Sequence, residues 1–338
     1  MRIAKLTELG KIEIVQGETP SVQTGTDVQV QVKAVGICGT DLHMFHEARA
    51  DVVLPRIMGH ELAGVVTAVG TAVTRIHVGD CVVLDPVFAC GTCSSCQKGY
   101  TNVCSKVRCY GVQMDGGFQD TIVVDEKHLY AYDPSIPYTE AALAEPFSIA
   151  LNILDRAQAT KSDNILIVGA GTIGLSVLQV AKGIGARVMV TDIVETKLKK
   201  AVGMGADYVV HSKQESLADA VKKAFPDGAD VVIDAVGVTP LFQSAIDHAA
   251  PRGRIVCIGF DARPAQIPPI RITKSELTIV GSRMNCGKFP EVMEWLNSGK
   301  IDAKPMISKV YPADQIQQAF IDTLADAEGC VKTIIQFD

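Results

Sequence analysis

From residue 164 onward the chain alternates short apolar runs with longer stretches whose apolar residues recur every three or four positions. Ile165–Val168, Arg187–Thr191, Tyr208–Val210, Asp230–Ala235, Arg254–Ile258 and Leu277–Gly281 are strand-length runs rich in β-branched residues. Between them, the segment running through Ile184 and those near 215–224, 240–249 and 289–297 carry the helical period. Strands alternating with helices predict right-handed crossovers and an α/β fold with a doubly wound parallel sheet. Before this half, residues 1–149 read as short strands punctuated by turn glycines, a β-rich domain. There is no internal repeat and no low-complexity tract.

A length of 338 residues suits two domains, and 47% hydrophobic with 21% charged residues provides for substantial cores. The net charge of −6 argues against nucleic acid or an anionic membrane as partner, and no basic stripe interleaves with aromatics. The first residues, MRIAKLTELGKIEIV, lack the apolar core and small-residue cleavage site of a signal peptide, and no apolar window is long enough to span a membrane. A cytoplasmic location is therefore expected, where structural disulfides are rare.

That expectation bears on CGTCSSCQKGYTNVC, residues 90–104, with cysteines at 90, 93, 96 and 104 in the spacing C-x2-C-x2-C-x7-C. Three thiolates can converge from one tight loop and a fourth return on the longer arm, the tetrahedral set of a closed structural Zn²⁺ site. An iron–sulfur cluster also takes four cysteines and is the main rival; a disulfide pair suits a reducing compartment less. Of the other cysteines, 81, 109, 257, 286 and 330 are scattered and read by default as small buried hydrophobes.

Cys38 is different. It lies in AVGICGTDLHMF, and about twenty residues later PRIMGHELAGVV presents His60 and Glu61; glycines in both stretches would place the three on loops. Glu145, just before Pro146 in EAALAEPFSIAL, is a charge in an apolar run that needs a partner, and a cation is a good one. Thiolate, imidazole and carboxylate together suit zinc. Taken singly, the residues also fit a core cysteine, a hydrogen-bonded histidine and two helix-start glutamates.

In NILIVGAGTIG a strand runs into Gly169, Gly171 and Gly174 in G-x-G-x-x-G spacing, and a helix follows. This order of strand, glycines and helix N-terminus cradles a pyrophosphate. Asp192 ends the next strand, where a carboxylate binds the adenosine ribose hydroxyls and repels a 2′-phosphate, favouring NAD over NADP.

With ICGTDLH, GHE, the four-cysteine lobe and VGAGTIG in this order along essentially the whole chain, the sequence resembles the zinc-dependent medium-chain alcohol and polyol dehydrogenases. The resemblance implies a GroES-like catalytic domain, residues 1–149 plus 300–338, with its zinc lobe at 86–110, and an inserted Rossmann domain, 150–299. It implies two zinc ions per chain. Cys38, His60 and Glu145 match catalytic zinc ligands, Glu61 an exchangeable ligand, and Cys90, Cys93, Cys96 and Cys104 the structural site. Thr40 and His43 match a proton relay; Thr172 and Ile173 fall within the dinucleotide loop, and Lys197 matches a second ribose contact. The Glu-Pro of AEPFSIAL looks like sorbitol, galactitol-phosphate and sugar-acid dehydrogenases, and DPVFACGTC, DGGF and residues 281–301 look closest to bacterial L-galactonate and L-gulonate 5-dehydrogenases. The substrate-contacting arginine of sorbitol dehydrogenases falls at Met284 here, beside Arg283.

The expected reaction is hydride transfer from a secondary hydroxyl of a sugar acid to NAD⁺, giving a keto sugar acid. Arg283, Arg49 and Arg56 are candidate partners for the acid's carboxylate. A polyol or polyol phosphate is the second substrate class that fits. A silent NAD-binding regulator also fits the fold, but the intact Cys38, His60, Glu145, Thr40 and His43 disfavour it. A zinc-free quinone reductase of the same fold is disfavoured by the two complete metal sites. A homo-oligomer, tetramer or dimer, is expected, with strand 277–280 a plausible pairing edge.

Overall fold

The computed structural model describes residues 1–338 and resolves into two compact units, one of 1–145 with 285–338 and one of 146–284. The second unit contains a six-stranded sheet ordered Tyr208–His211, Arg187–Asp192, Asn164–Val168, Ala229–Asp234, Ala249–Cys257, Thr278–Gly281. Every neighbouring pair is parallel. The chain starts at Asn164–Val168, winds outward to one edge, then returns to wind outward on the other side. The order therefore reverses between Asn164–Val168 and Ala229–Asp234, the position where such sheets bind dinucleotides. Ile165, Leu166, Ile167, Val188, Val190, Val231, Val232 and Ile233 are wholly buried. A sheet covered on both faces requires such continuous apolar runs.

All six anticipated strands are present, and the helix running to Ile184 is Thr172–Ile184. Two helices escape the hydrophobic pattern. Glu195–Gly203 buries only Leu198 and Ala201, and Pro269–Ser275 buries no residue, so neither shows an apolar stripe. The helix anticipated at 240–249 is Thr239–Ala245 with a 3₁₀ turn at Ile246–His248, because the next strand already begins at Ala249.

The first unit is built on a seven-stranded sheet. Its order is Ile307–Pro312, Lys332–Gln336, Asp27–Ile37, Glu61–Val69, Cys81–Leu84, Leu129–Ala131, with Thr121–Asp125 also paired to Asp27–Ile37. Asp27–Ile37 alternates for most of its length: Val28, Val30, Val32 and Ala34 are buried and the residues between them are not. Phe320, on the Ile316–Ala325 helix, packs against Phe45 and Phe118 with ring centres 5.2 and 5.8 Å apart. The C-terminal strand Lys332–Gln336 runs antiparallel to Ala34–Ile37, so residues nearly 300 positions apart in sequence form one surface.

The helix Phe289–Asn297, anticipated with the nucleotide half, belongs to this first unit. Phe289 stacks on Tyr130 at 5.3 Å, and the Asn297 side-chain oxygen accepts the Asp133 N–H at 3.0 Å. These contacts, invisible to periodicity, decide where the segment docks.

Candidate active site and metal centres

At Cys38 the central strand of the first unit turns into the Gly39–His46 helix, with Cys38 as its N-cap. The Cys38 N–H donates to Asp41 Oδ2 at 3.0 Å, while Asp41 Oδ1 accepts the Gly59 N–H at 3.3 Å and lies 3.7 Å from His60 Nδ1. Asp41 is wholly buried and clamps the CGTD turn to the GHE turn. His60 is buried too, and its Nδ1 has no hydrogen-bond partner. Burial works against a charge on this ring, but Asp41 and then the Cys38 sulfur outweigh it and hold His60 well above the ordinary histidine value. Burial raises the Asp41 carboxyl, with His60 opposing.

Donor atoms of Cys38, His60 and Glu61 all lie within 4.8 Å of one another. Glu61 is not on a loop: it opens the strand Glu61–Val69 opposite Gly36. A Cβ at Gly36 would sit 2.0 Å from Glu61 Oε2, so glycine is required there by its neighbour's carboxylate. That carboxylate receives Lys332 Nζ at 2.6 and 2.7 Å, and Nζ also donates to the Ile37 carbonyl at 3.0 Å. Both partners are about 2% exposed or less. Glu145 lies in the first turn of Ala144–Arg156, buried, outside the three-member cluster. Burial pushes its carboxyl up to about 7, His60 opposing and Glu61 adding to the shift.

Thr40, half-buried, and His43, exposed, lie on the Gly39–His46 helix. Arg49 and Arg56 are already matched by Asp51 and Asp115, each at 2.8 Å. Arg283 is exposed in the second unit. Asp41 and Lys332 were not anticipated. Lys332 carried the same signal as Glu145, a charge in an apolar run, VKTIIQ.

In the lobe at 90–104 the sulfurs of Cys93 and Cys96 are 3.5 Å apart, those of Cys90 and Cys96 3.9 Å, and those of Cys93 and Cys104 3.9 Å. A tetrahedron with Zn–S near 2.3 Å has edges of about 3.8 Å. An iron–sulfur cluster would hold the four cysteines farther apart, around its own sulfides. All ten cysteines are free of disulfides. Backbone N–H groups serve the sulfurs: Cys93 N–H donates to Cys90 Sγ at 3.4 Å and Lys106 N–H to Cys104 Sγ at 3.3 Å. The Thr92 N–H is the first cause holding the Cys90 thiol down at about 5, and burial the first cause pushing Cys96 up to about 12. A cation at the centre would let all four ionise together.

In the second unit Asn164–Val168 passes through Gly169 to Gly171, the N-cap of Thr172–Ile184. A Cβ at Gly174 would lie 1.9 Å from the Gly169 carbonyl oxygen, whereas one at Gly171 meets nothing within 4 Å. The first is fixed by packing; the second faces open space, as backbone approached by a pyrophosphate must. Asp192 ends its strand and accepts the Ala170 N–H at 2.6 Å and the Val194 N–H at 2.9 Å, which holds its carboxylate beside the glycine turn. Thr172 and Ile173 open the helix, and Lys197 lies on Glu195–Gly203.

The thiolate, imidazole and carboxylate would hold a zinc ion able to act as a Lewis acid on an oxygen, and the nucleotide sheet on the same chain would hold a dinucleotide able to exchange a hydride. Together they define an oxidoreductase of the zinc-containing dehydrogenase class. Residues 24–134 match the alcohol dehydrogenase GroES-like domain, and residues 172–298 the zinc-binding dehydrogenase domain. The chain belongs to the zinc-type alcohol dehydrogenase family. It is 34% identical over 340 residues to the starvation-sensing protein RspB of Escherichia coli K12, covering 100% of this chain and 99% of that one. A crystal structure of RspB from E. coli CFT073, complexed with NADH, superposes with a TM-score of 0.93 at 34% identity, over 100% of this chain and 99% of the other. Identity is 32% to the 2-dehydro-3-deoxy-L-galactonate 5-dehydrogenase of Pseudoalteromonas atlantica, over 96% of this chain and 95% of that one. It is 31% to the sorbitol dehydrogenase of Bacillus subtilis, over 99% and 97%.

Proposed function

We propose that the protein oxidises a secondary hydroxyl of a hexonate-type sugar acid to the ketone, with NAD⁺ as acceptor. The observation that carries this is the convergence of Cys38, His60 and Glu61 within 4.8 Å, with Glu145 buried in the same unit. Cys38 and His60 would hold the catalytic zinc together with a carboxylate: Glu145, as in the family's pattern, or Glu61, which would have to leave Lys332 to bind; the closed cysteine lobe would hold the structural one. Zinc bound there supplies a Lewis acid, and NAD⁺ bound at Gly169–Gly174 the hydride acceptor.

The chain's own residues do the rest. Asp41 lies 3.7 Å from His60 Nδ1, close enough to act on the imidazole by its charge, and fixes the turn that presents His60 through the Cys38 and Gly59 N–H groups. The Thr40 hydroxyl takes up the substrate's proton and passes it to His43, whose side chain is 64% exposed and can release it to solvent. Asp192 and Lys197 receive the adenosine ribose, and the Asp192 carboxylate disfavours a 2′-phosphate. Arg49 and Arg56 pair with Asp51 and Asp115, and no single arginine is assigned to the substrate carboxylate. We infer a cytoplasmic homo-oligomer, tetramer or dimer. No helix is long and apolar enough to cross a membrane.

The relative named for starvation sensing makes a regulatory NAD-binding protein the second reading. NADH formation at 340 nm by zinc-loaded protein, across L-galactonate, L-gulonate, D-galactonate, sorbitol, galactitol, galactitol 1-phosphate and L-threonine, separates the two. Turnover confined to a hexonate is expected. Preference for the polyols would overturn the sugar-acid assignment while leaving the dehydrogenase, and silence across the panel would favour the regulator.

A further inference from the structure

We propose that His43, His46 and Glu47 form a third, exchangeable metal site on the first unit, one that takes a borderline divalent cation such as Zn²⁺, Ni²⁺ or Cu²⁺. The three lie at i, i+3 and i+4 on the last turn of the Gly39–His46 helix and its C-cap, a spacing that brings side chains onto one face. Their donor atoms all fall within 4.8 Å of one another. His46 Nε2 is 3.3 Å from Glu47 Oε1, and His43 Nδ1 is 3.8 Å from Glu47 Oε2. The two imidazoles stack at 24°, ring centres 5.8 Å apart.

A second observation points to a ligand. His46 Nδ1 contacts the Leu42 carbonyl, and since a carbonyl only accepts, Nδ1 carries the proton. In the neutral ring Nε2 is then a lone pair, and it faces a carboxylate oxygen. Two acceptors 3.3 Å apart need a positive charge between them, either a second proton on the ring or a metal cation, and titration with metal separates the two. Metal-ligating histidines are oriented in this way, the far nitrogen donating to a backbone carbonyl. Two imidazoles and a carboxylate are a donor set that zinc, nickel and copper accept, with water completing the sphere. Side-chain exposures of 64%, 44% and 62% leave the site open to solvent, so the ion exchanges rather than being trapped. Binding displaces water and breaks no bond of the protein.

One consequence rests on the proton-relay reading of His43: a metal held there occupies the relay imidazole, so excess zinc slows turnover.

The test is calorimetric titration of the two-zinc holoenzyme with ZnCl₂, for the wild type, His46→Gln and Glu47→Gln, with circular dichroism confirming that each is folded. A third equivalent is expected in the wild type, weakened about tenfold or more in both variants, with turnover unchanged in all three when no zinc is added. No third equivalent in the wild type, meaning that a proton alone sits between His46 and Glu47, overturns the site; so does a third equivalent bound as tightly by either variant as by the wild type. If the third zinc binds and depends on both residues, but wild-type turnover is indifferent to it, the site stands and the relay role of His43 falls.

Discussion

Lys332 and Glu61 are opposite charges removed from water together, and each accounts for the other's burial. Leaving one member of such a pair alone costs about 3–5 kcal/mol, more than the pair contributes as a whole. Lys332→Met is therefore expected to lose about that much in urea unfolding, and Lys332→Met with Glu61→Gln to lose clearly less; additive losses would show that the two are not coupled. His128 behaves differently. It lies under Phe88 and Tyr110, and burial first, then the charge of Lys127, hold its pKa down to about 4. An unfolded histidine titrates near ~6.5. Between pH ~6.5 and 4 the unfolded chain thus binds a proton that the folded chain refuses, and stability falls with pH across that window by up to about 3 kcal/mol; above it the group costs nothing. The midpoint temperature of His128→Gln should fall less steeply than that of the wild type from pH 7 to pH 4, and parallel curves would contradict a neutral buried ring. Cys38, His60 and Glu61, which their glycine-punctuated stretches single out, do come together in the structure, whereas Glu145 lies outside their cluster. Asp41 and Lys332 escape the sequence reading, although Asp41 lies in the same CGTD turn and Lys332 is a charge in an apolar run, because the role of each depends on a partner brought in by folding: Asp41 on His60, Lys332 on Glu61, 271 residues away.

Elements were legible where burial writes a pattern. The four central strands of the parallel sheet are buried on both faces and stand out, and the edge strands Tyr208–His211 and Thr278–Gly281, though little buried, are short β-branched runs; Glu195–Gly203 and Pro269–Ser275, which bury little, do not stand out. The cysteine lobe is the opposite case, an element with almost no apolar content whose form follows from ligand spacing. Its four half-buried or buried cysteines have little else to hold them, so metal binding there is folding free energy. Cys104→Ser is expected to lose one zinc and lower the melting temperature by roughly 5 °C or more. NAD binding, whose residues lie in the other unit, should persist in fluorescence titration. Unchanged melting with one zinc lost would mean that the lobe is held without its ion.

At the scale of the whole chain, the nucleotide unit is an insertion: the first unit is interrupted after Glu145, resumes at Asn285 and is completed by the C-terminal strand beside Asp27–Ile37. Glu145 thus stands at the very exit from the first unit. The resemblance implies an inserted domain running to 299, whereas the second unit ends at Met284; nothing in the pattern of Phe289–Asn297 says that it docks on Tyr130. The central claim is that the first unit carries two metal centres with different work, the cysteine lobe for structure and the Cys38 site for turnover. Zinc content and NADH formation of Cys38→Ser, measured on the same folded preparation, test it most directly. The account predicts loss of one zinc of two and a fall in turnover of about a thousandfold. Retention of both ions with turnover within about tenfold of wild type would contradict it.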